Sequence, residues 1–515
     1  MPRRRNRRHG MLVGVLLAAV AASSDLAAQA PPSILRPVLD SDPHNPPRFR
    51  KVETMPRGQL LTFGNPPAFG AGTSGFDSTN ARRRKAKAAR QKPAGVVKPV
   101  SAASTRVRRP PALARAERVM EVSPSPPQRP RLRPVPEPDA FVPLGIRDGP
   151  LIWRPAIELD GGYDTNPARV RHGSGSSLFV VAPDLQLRSD WARHELRGDL
   201  RGSYTMYPSK PSLDRPAVDA KLGGRIDISR QTNIDLESRL LVGTDNPGSP
   251  NLRADLARLP IFTTLGASAG AAHRFNRFEI AAKGNVDRTV YQESELTDGS
   301  TASNDGRNYN QYGGQLRGSY DLLPGVRPFV QAGGDTRVHD MGVDSTGFRR
   351  DSNGVSGRAG SSFALTPLLT GEAALGYLVR RYDDPRLPDV SGLLVDASLI
   401  WTASALTSMT LAARTYVDES TVPGVSGTFR RDFGVAVDHA FRRWLIGSLK
   451  FGYGLDDYVG SPRVDERYLA SAALIYRINR ALQVKGEVRQ EWMRSTDSAA
   501  DYTASIFLLG LRLQR

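Results

Sequence analysis

Apolar and polar residues alternate from Leu151 to the end of the chain, in segments of about ten to fourteen residues. In Val218–Ser229, for example, most residues at even-numbered positions are apolar, and most residues at the odd-numbered positions between them are charged. Successive side chains of a β-strand point to opposite faces, so this period of two predicts strands with one apolar and one charged face. Membrane β-barrels have this division, with the apolar face toward lipid and the polar face toward the lumen. The pattern predicts an all-β fold, a closed antiparallel transmembrane β-barrel.

The connections between the segments fall into two classes that alternate strictly, eight short and nine long, which predicts eighteen strands. Sixteen strands is the alternative, because Val326–Val338 and Val355–Phe363 alternate less regularly. An even number of strands places both ends of the barrel on the side of the short turns. In bacterial barrels that side is the periplasm. The short connections are predicted near Ser189–Arg193, Arg230–Asn233, Arg274–Arg277, Leu323–Gly325, Leu365–Pro367, Ser404–Thr407, Arg442–Trp444 and Ile478–Arg480.

The residues before the barrel have a different composition. Residues 1–28 resemble a secretory signal peptide, with five arginines before the apolar run Met11–Ala22 and cleavage expected after Ala28 or Ala30. A retained membrane anchor is the alternative. Residues 29–142 are rich in proline and basic residues, which predicts a disordered periplasmic spacer. The barrel is predicted over 143–515.

Most of the net charge of +19 lies outside the predicted barrel. Residues 1–150 contain 27 Lys+Arg and 10 Asp+Glu, a net charge of +17, which leaves only +2 for the rest. A nucleic-acid-binding protein would carry its positive charge on the folded part, so we expect no nucleic-acid partner. The basic residues within 80–109 could attract anionic envelope polymers, or could simply be solvated charges.

The charged faces of the predicted strands provide the candidate functional residues. We expect these side chains to line the lumen, where rings of charge set the selectivity of a pore. The alternative is that they pair across strands and only support the wall. Because the barrel is nearly neutral, weak ion selectivity is expected. The predicted lining residues are Glu195, Arg197, Asp199, Arg201, Asp219, Lys221, Arg225, Asp227, Asp235, Glu237, Arg239, Glu279, Lys283, Asp287, Arg317, Arg337, Arg380, Asp396, Arg414, Lys485, Glu487 and Arg489.

Several short motifs resemble a known family. They include Pro143–Arg147, Gly161–Asn166, Ser189–Trp191 and the terminal Gly510–Arg515. Over about Pro143 to Arg515 the chain is similar to the β-barrel porin type 2 family of alphaproteobacterial outer-membrane proteins. This resemblance implies an outer-membrane barrel and implies no particular substrate or catalytic residue. The chain ends in Arg515, whereas many such barrels end in Phe or Trp, which the assembly machinery recognises.

Motifs for catalysis or cofactors are largely missing from the sequence. There is no cysteine, no nucleotide-binding loop and no metal-binding motif, so we expect no cofactor and no metal. Gly266–Gly270 matches the G-x-S-x-G pattern of hydrolases. In those enzymes a helix must follow the serine, and no helical pattern follows Gly270. We therefore expect that the protein is not an enzyme.

The expected function is a porin-like passive channel for small or saccharide-like solutes. The alternative is a scaffold or polysaccharide-export accessory, anchored by the barrel and docked through the basic spacer. A barrel enzyme and a soluble β-protein are further alternatives. The expected partners are outer-membrane lipid, lipopolysaccharide and the barrel-assembly machinery.

Overall fold

The computed structural model describes residues 141–253, 255–366 and 369–515. The predicted signal peptide, and all but the last two residues of the predicted spacer, lie outside these residues. Within them, no helix is long and apolar enough to span a membrane. The long strands, numbered here β1 to β18, are Leu151–Asp164, Ser176–Ser189, Glu195–Met206, Arg215–Asp227, Thr232–Thr244, Ile261–Phe275, Phe278–Tyr291, Tyr309–Tyr320, Val326–His339, Ser352–Thr366, Leu369–Tyr382, Val390–Trp401, Thr407–Asp418, Gly427–Arg442, Leu445–Val459, Val464–Arg477, Leu482–Ser495 and Tyr502–Gln514.

The eighteen strands form one closed antiparallel barrel. Each strand pairs with the next in sequence, and β18 pairs with β1 from Ala156↔Gln514 to Asp164↔Ile506. The prediction of eighteen strands is confirmed, and the sixteen-strand alternative is wrong. Closure leaves no edge at the point where the two ends of the sheet meet, which is what a sheet in hydrocarbon requires.

The strand lengths match a membrane crossing. The shortest strands have 12 residues and the longest, β14, has 16. At a rise of about 3.3 Å per residue and a tilt of about 40°, twelve residues cover roughly 30 Å along the barrel axis, the thickness of a bilayer core.

Short and long connections alternate around the barrel as predicted, except that the connection 460–463, between β15 and β16, is a short turn instead of a long loop. The short ones are at 190–194, 228–231, 276–277, 321–325, 402–406, 443–444 and 478–481, and another separates Thr366, the end of β10, from Leu369, the start of β11. On the opposite side, the connections range from residues 460–463 to the much longer 292–308. A long connection is expected from the sequence near Asp457–Val464, but β15 continues to Val459 and leaves only residues 460–463 between the strands. Both ends of the barrel lie on the short-turn side.

The chain enters the barrel through an additional hairpin on this side. Ile146–Asp148 pairs with the first three residues of β1. Gly149 makes the turn with φ of 53°, a left-handed conformation that costs glycine little. Arg147 pairs with Asp190 in the turn between β2 and β3, at an Nη1–Oδ2 distance of 3.0 Å. This exposed ion pair adds little stability.

The outer face of the wall is apolar and its inner face is polar, the reverse of a soluble protein. In β8, Leu316 is 56% exposed, whereas the adjacent Arg317 is only 2% exposed. The same alternation places Leu222 outside the barrel and Lys221 inside it. The apolar face surrounds the barrel, as the sequence pattern predicts, and the charged face encloses the lumen.

Aromatic side chains form an outward-facing row in the half of the wall nearer the long loops. The row crosses β14 to β17 through Phe433, Tyr453, Tyr468 and Trp492, which are directly opposite one another in the ladder. Neighbouring ring centroids are 6.4, 5.2 and 5.5 Å apart. Such rows mark the interface between hydrocarbon and head groups.

A second aromatic group lies near the short turns. Trp444 and Tyr476 have ring centroids 5.2 Å apart, and Trp401 ends β12. The two groups bracket the apolar band, so the strands cross the membrane between them.

Leu316→Arg should destabilise the barrel in liposomes, whereas Gln315→Arg should not. Leu316 faces lipid near the middle of β8, where an arginine costs roughly 2–4 kcal/mol, and Gln315 faces the polar lumen. The free energy of unfolding is measured by heat-dependent gel migration across a urea series. Equal stability of the two variants would show that the assigned inside and outside of this strand are incorrect, because a one-residue shift reverses every side chain.

Candidate pore and its outer mouth

The structure places all the predicted lining residues on the inward face of the wall, and none of them is exposed. Many of them lie in ion pairs or hydrogen bonds. Arg225 lies beside Glu195 and Asp227, and Arg239 beside Asp219. These pairs join residues on neighbouring strands or two apart on one strand.

Near β17, four charged side chains share one network. Lys485 Nζ is 2.8 Å from Glu487 Oε2 and 3.2 Å from Glu158 Oε1 on β1. Arg489 Nη2 donates to Glu487 at 2.7 Å. The network fixes the direction of each side chain, which a single exposed ion pair would not do.

Arginines on β8 to β11 are paired in the same way. Arg317 binds Glu372 through two nitrogens, at 2.9 and 2.7 Å, across two intervening strands. Arg380 pairs with Asp335. Asp396 on β12 forms an ion pair with Arg358, at an Nη1–Oδ2 distance of 2.6 Å. The guanidinium groups therefore lie along the wall and do not all project into the lumen.

The remaining predicted residues are placed less specifically. Asp199 accepts from Arg188 at 3.1 Å, and Glu279 accepts from Arg274 at 2.9 Å. Asp235 and Asp287 accept side-chain amide hydrogen bonds from nearby asparagines. The other predicted residues also lie on the inward face, and they are Arg197, Arg201, Lys221, Glu237, Lys283 and Arg414.

The lumen is not a plain cylinder, because the hairpin of β13 and β14 folds into it. β13 pairs with β14 along its whole length but with β12 only from Ala397↔Ala413 to Trp401↔Met409. Beyond Ala413, β13 and β14 bend inward away from β12 together, while β14 stays paired with β15 as far as Gly427↔Val459. Phe433 on the outward face of β14 is 37% exposed, whereas Phe429, on the same face beyond the break, is 1% exposed. The outer part of this hairpin, from Arg414 to Arg430, is called the inner hairpin below.

The tip of the inner hairpin is held by residues from distant parts of the wall. Arg337 on β9 pairs with Glu419 and donates to the carbonyl oxygen of Val417 at 3.0 Å. Arg350, between β9 and β10, donates to the carbonyl oxygen of Val425 at 2.8 Å. Four strand spacings, roughly 19 Å along the wall, separate β9 from β13, so these contacts show that the hairpin extends across the lumen.

The long loop at residues 245–260 meets the inner hairpin from the other side. Asn251 accepts from the backbone N–H of Thr421 at 3.0 Å and donates to the carbonyl oxygen of Glu419 at 3.4 Å. At its start, Asp245 pairs with Arg307 at 2.7 Å. The mouth of the barrel is thus crossed by a loop and a hairpin joined at Asn251.

A buried arginine joins β1, β17 and the loop after β1 at the same level. Arg169 donates to Asp164 at 2.7 Å and to Glu491 at 2.9 Å, and all three side chains are buried. Tyr207 also donates to Asp164, at 3.1 Å. Arg169 has φ of 55°, which is uncommon for a residue other than glycine. Its buried hydrogen bonds to Asp164 and Glu491 hold the backbone in this conformation.

Sequence reasoning did not find the residues of the mouth. Glu419, Asn251 and Arg350 lie in connections, where an alternating pattern assigns no direction to a side chain. Arg337 was predicted to face the lumen, but nothing in its own strand indicates that its partner is four strands away.

The hydrolase-like pattern Gly266–Gly270 lies within β6, which is continuous from Ile261 to Phe275. Ser268 pairs with Glu237 on one side and Asn285 on the other. A nucleophile elbow requires a strand, a sharp turn and a helix, so this serine is an ordinary strand residue. The described residues also contain no group of three or more His, Asp and Glu side chains able to hold a metal.

The family model described as "Putative beta-barrel porin 2" matches residues 138–515, the whole barrel. The chain belongs to this family. The predicted resemblance is confirmed, and with the closed barrel it makes the molecule a porin-like protein of the outer membrane.

The porin-like chain matches none of the curated proteins. It is similar to solved outer-membrane proteins, each matched over 70% of this chain with a TM-score of 0.35. OpdK from Pseudomonas aeruginosa is 15% identical and matched over 99% of its length. OccAB4 from Acinetobacter baumannii is 10% identical over 98%, and a mutant of the ferric enterobactin receptor PfeA from P. aeruginosa is 6% identical over 80%.

Acidification should release the inner hairpin of this porin-like barrel. Burial raises the pKa of Glu419, but the facing charges of Arg337, His339 and Arg380 outweigh it and hold the pKa below its ordinary 4.5. Because the pKa of Glu419 is lowered in the folded protein, its ion pair stabilises the hairpin fully above about pH 4.5. This stabilisation is lost as the pH falls through the lowered pKa of Glu419. Single-channel conductance should therefore rise as the pH falls below 4.5.

The control separates Glu419 from the other carboxylates that titrate in this range. Glu419→Gln should show raised conductance already at pH 7 and a weaker rise on acidification. Glu293→Gln, in an exposed loop, should keep the parental profile. Identical profiles for Glu419→Gln and the parent would mean that Glu419 does not hold the hairpin.

Proposed function

We propose that this protein is a passive outer-membrane channel for small or saccharide-like solutes, and that the inner hairpin sets its size limit. The observation that carries the proposal is the combination of a polar lumen through the whole barrel with a hairpin folded across its outer mouth. A barrel that served only as an anchor would need neither. The polar inward face provides hydrogen-bonding partners for hydrated solutes along the whole passage.

Weak ion selectivity is part of this proposal. Charges of both signs lie close together on the inward face, as in the Lys485, Glu487 and Arg489 network. The potential of each charge is largely cancelled by its partner over the distance at which a solute passes. The predicted lining residues would therefore interact with solutes mainly as hydrogen-bonding groups.

The size limit follows from how the inner hairpin is anchored. The tip of the hairpin is fixed by side-chain contacts from Arg337, Arg350 and Asn251, whereas its two strands and the wall are fixed by ladders. Its tip can therefore be altered without opening the barrel.

The first test is conductance of the purified full chain in planar bilayers, with liposome swelling in sugars of increasing size. Steady channels with cation-to-anion permeability near unity, and sugar uptake up to a defined size, are expected. A barrel that stays closed under all conditions would overturn the channel proposal. It would favour the alternative of an envelope scaffold, docked through residues 80–109.

Replacing residues 420–425 with a Gly-Ser-Gly linker should raise the conductance and admit larger sugars. The matched control replaces residues 297–300, the exposed tip of the small hairpin formed by Ser294–Glu295 and Thr301–Ala302, and should change neither. Heat-dependent gel migration verifies that both variants are folded. If the two replacements behave alike, the inner hairpin is not the narrowest part of the passage.

A further inference from the structure

The ladder between β12 and β13 ends inside the membrane-spanning region, which leaves a long seam in the wall of the barrel. β11 pairs with β12 from Arg380↔Val390 to Leu369↔Trp401, and β13 pairs with β14 at twelve positions. Between β12 and β13 only five positions pair, all in the half nearer the short turns. In the outer half, Val390–Asp396 has no ladder partner on the β13 side. This outer half is called the split seam below.

The split seam is closed by apolar side chains. Val417 and Phe429, on the outward face of the inner hairpin, pack against Tyr382 and Val390 on the inward face of β11 and β12. All four are buried. The contact is close at Gly392, where a Cβ atom would lie 2.6 Å from the Phe429 ring. The wall is double here, with the hairpin inside and β12 outside.

Side-chain packing is a different kind of closure from a ladder. Across the split seam the backbone N–H of Val395 donates to the side-chain hydroxyl of Thr415 at 3.1 Å, where a ladder would use a backbone carbonyl. Backbone groups without partners are costly in hydrocarbon, so a barrel wall normally avoids such a break. Strands closed by packing can separate without breaking a series of backbone hydrogen bonds.

The chemistry around the split seam indicates what could enter it. Its inner side has an apolar surface that includes Val390 and Phe429, which belong to one buried cluster, and Leu394 is buried on the same face of β12. Most of the lumen is lined by charged residues instead. On its outer side, the guanidinium of Arg431 lies 4.6 Å from the centre of the Phe429 ring. Arg431 has no ion pair in the described part of the chain. It lies two residues beyond Phe433 of the aromatic row, at the level of lipid head groups.

We propose that the split seam is a lateral binding site for a single-chain anionic amphiphile of the fatty-acid type, which enters the wall from the outer leaflet. Its alkyl chain would displace the Phe429 ring from the apolar surface, and its carboxylate would pair with Arg431. One chain is favoured over a double-chain lipid because the space it enters is that of the single displaced Phe429 ring. This route is separate from the aqueous passage.

A long-chain fatty acid carrying a diazirine tests the site in the full chain, reconstituted in liposomes and illuminated. Mass spectrometry of the cross-linked peptides should place label on Leu394 and Phe429, inside the wall, as well as on lipid-facing residues such as Leu222. Label on lipid-facing residues alone would overturn the proposal.

A cross-link provides the matched control, because the native chain has no cysteine. Oxidising Val395→Cys/Thr415→Cys should close the split seam and abolish label on Phe429, while Leu222 stays labelled. Oxidising Ala397→Cys/Ala413→Cys, in the paired half of the same strands, should leave the labelling unchanged. Equal labelling of Phe429 in both oxidised variants would overturn the proposal.

The head group is tested separately. Arg431→Gln should reduce labelling of Phe429 by the fatty acid about tenfold, the effect of losing one charge-assisted contact. A diazirine alkane without a carboxylate should label the parent and this variant equally. If Arg431→Gln has no effect on fatty-acid labelling, the anionic head group is not recognised there. In all of these variants the ion conductance is measured in parallel, so a failure of the channel proposal is seen independently.

Discussion

The pairing of backbone polar groups within hydrocarbon is the constraint on which the rest of this structure depends. A strand in lipid cannot bond to water, so each strand must have a neighbour on both sides. Eighteen strands closing between β18 and β1 satisfy this requirement. Closure then fixes the alternation of faces, which places the apolar residues in lipid and the charged residues in the lumen. The break between β12 and β13 is notable because it relaxes the same requirement, and an inward-folded hairpin and apolar packing take the place of the ladder.

The charges enclosed by the barrel are arranged in networks that direct side chains more than they add stability. A buried ion pair gains roughly what it loses in desolvation, whereas removing one partner costs about 3–5 kcal/mol. Arg467 shows the arrangement, because it donates to Asp432 at 2.9 Å and also pairs with Asp456, which accepts from Arg430 at 2.9 Å. These residues lie on adjacent strands and stiffen the wall at the base of the inner hairpin. The hairpin can therefore project into the lumen and keep one position.

Most of the fold could be predicted from the sequence, because a period of two assigns each strand residue to a face. Leu222 and Lys221 illustrate this, and so does the number of strands, which follows from the alternating lengths of the connections. The inner hairpin could not be predicted in this way. Val417 and Phe429 have the alternation of lipid-facing residues, and only the tertiary structure shows that they pack against another part of the wall. Contacts such as Arg337 with Glu419 depend on how far the hairpin bends, which no local pattern contains.

The central claim is that the inner hairpin crosses the lumen, and a distance measured by electron paramagnetic resonance tests it most directly. Spin labels are attached at Arg349→Cys, in the loop before β10, and at Pro423→Cys, at the hairpin tip; both positions are exposed. The contacts of Arg350 with the hairpin predict a separation well below the roughly 19 Å that four strand spacings along the wall give. A separation at or above that wall spacing would contradict the account, because the hairpin would then continue the wall and the lumen would be open.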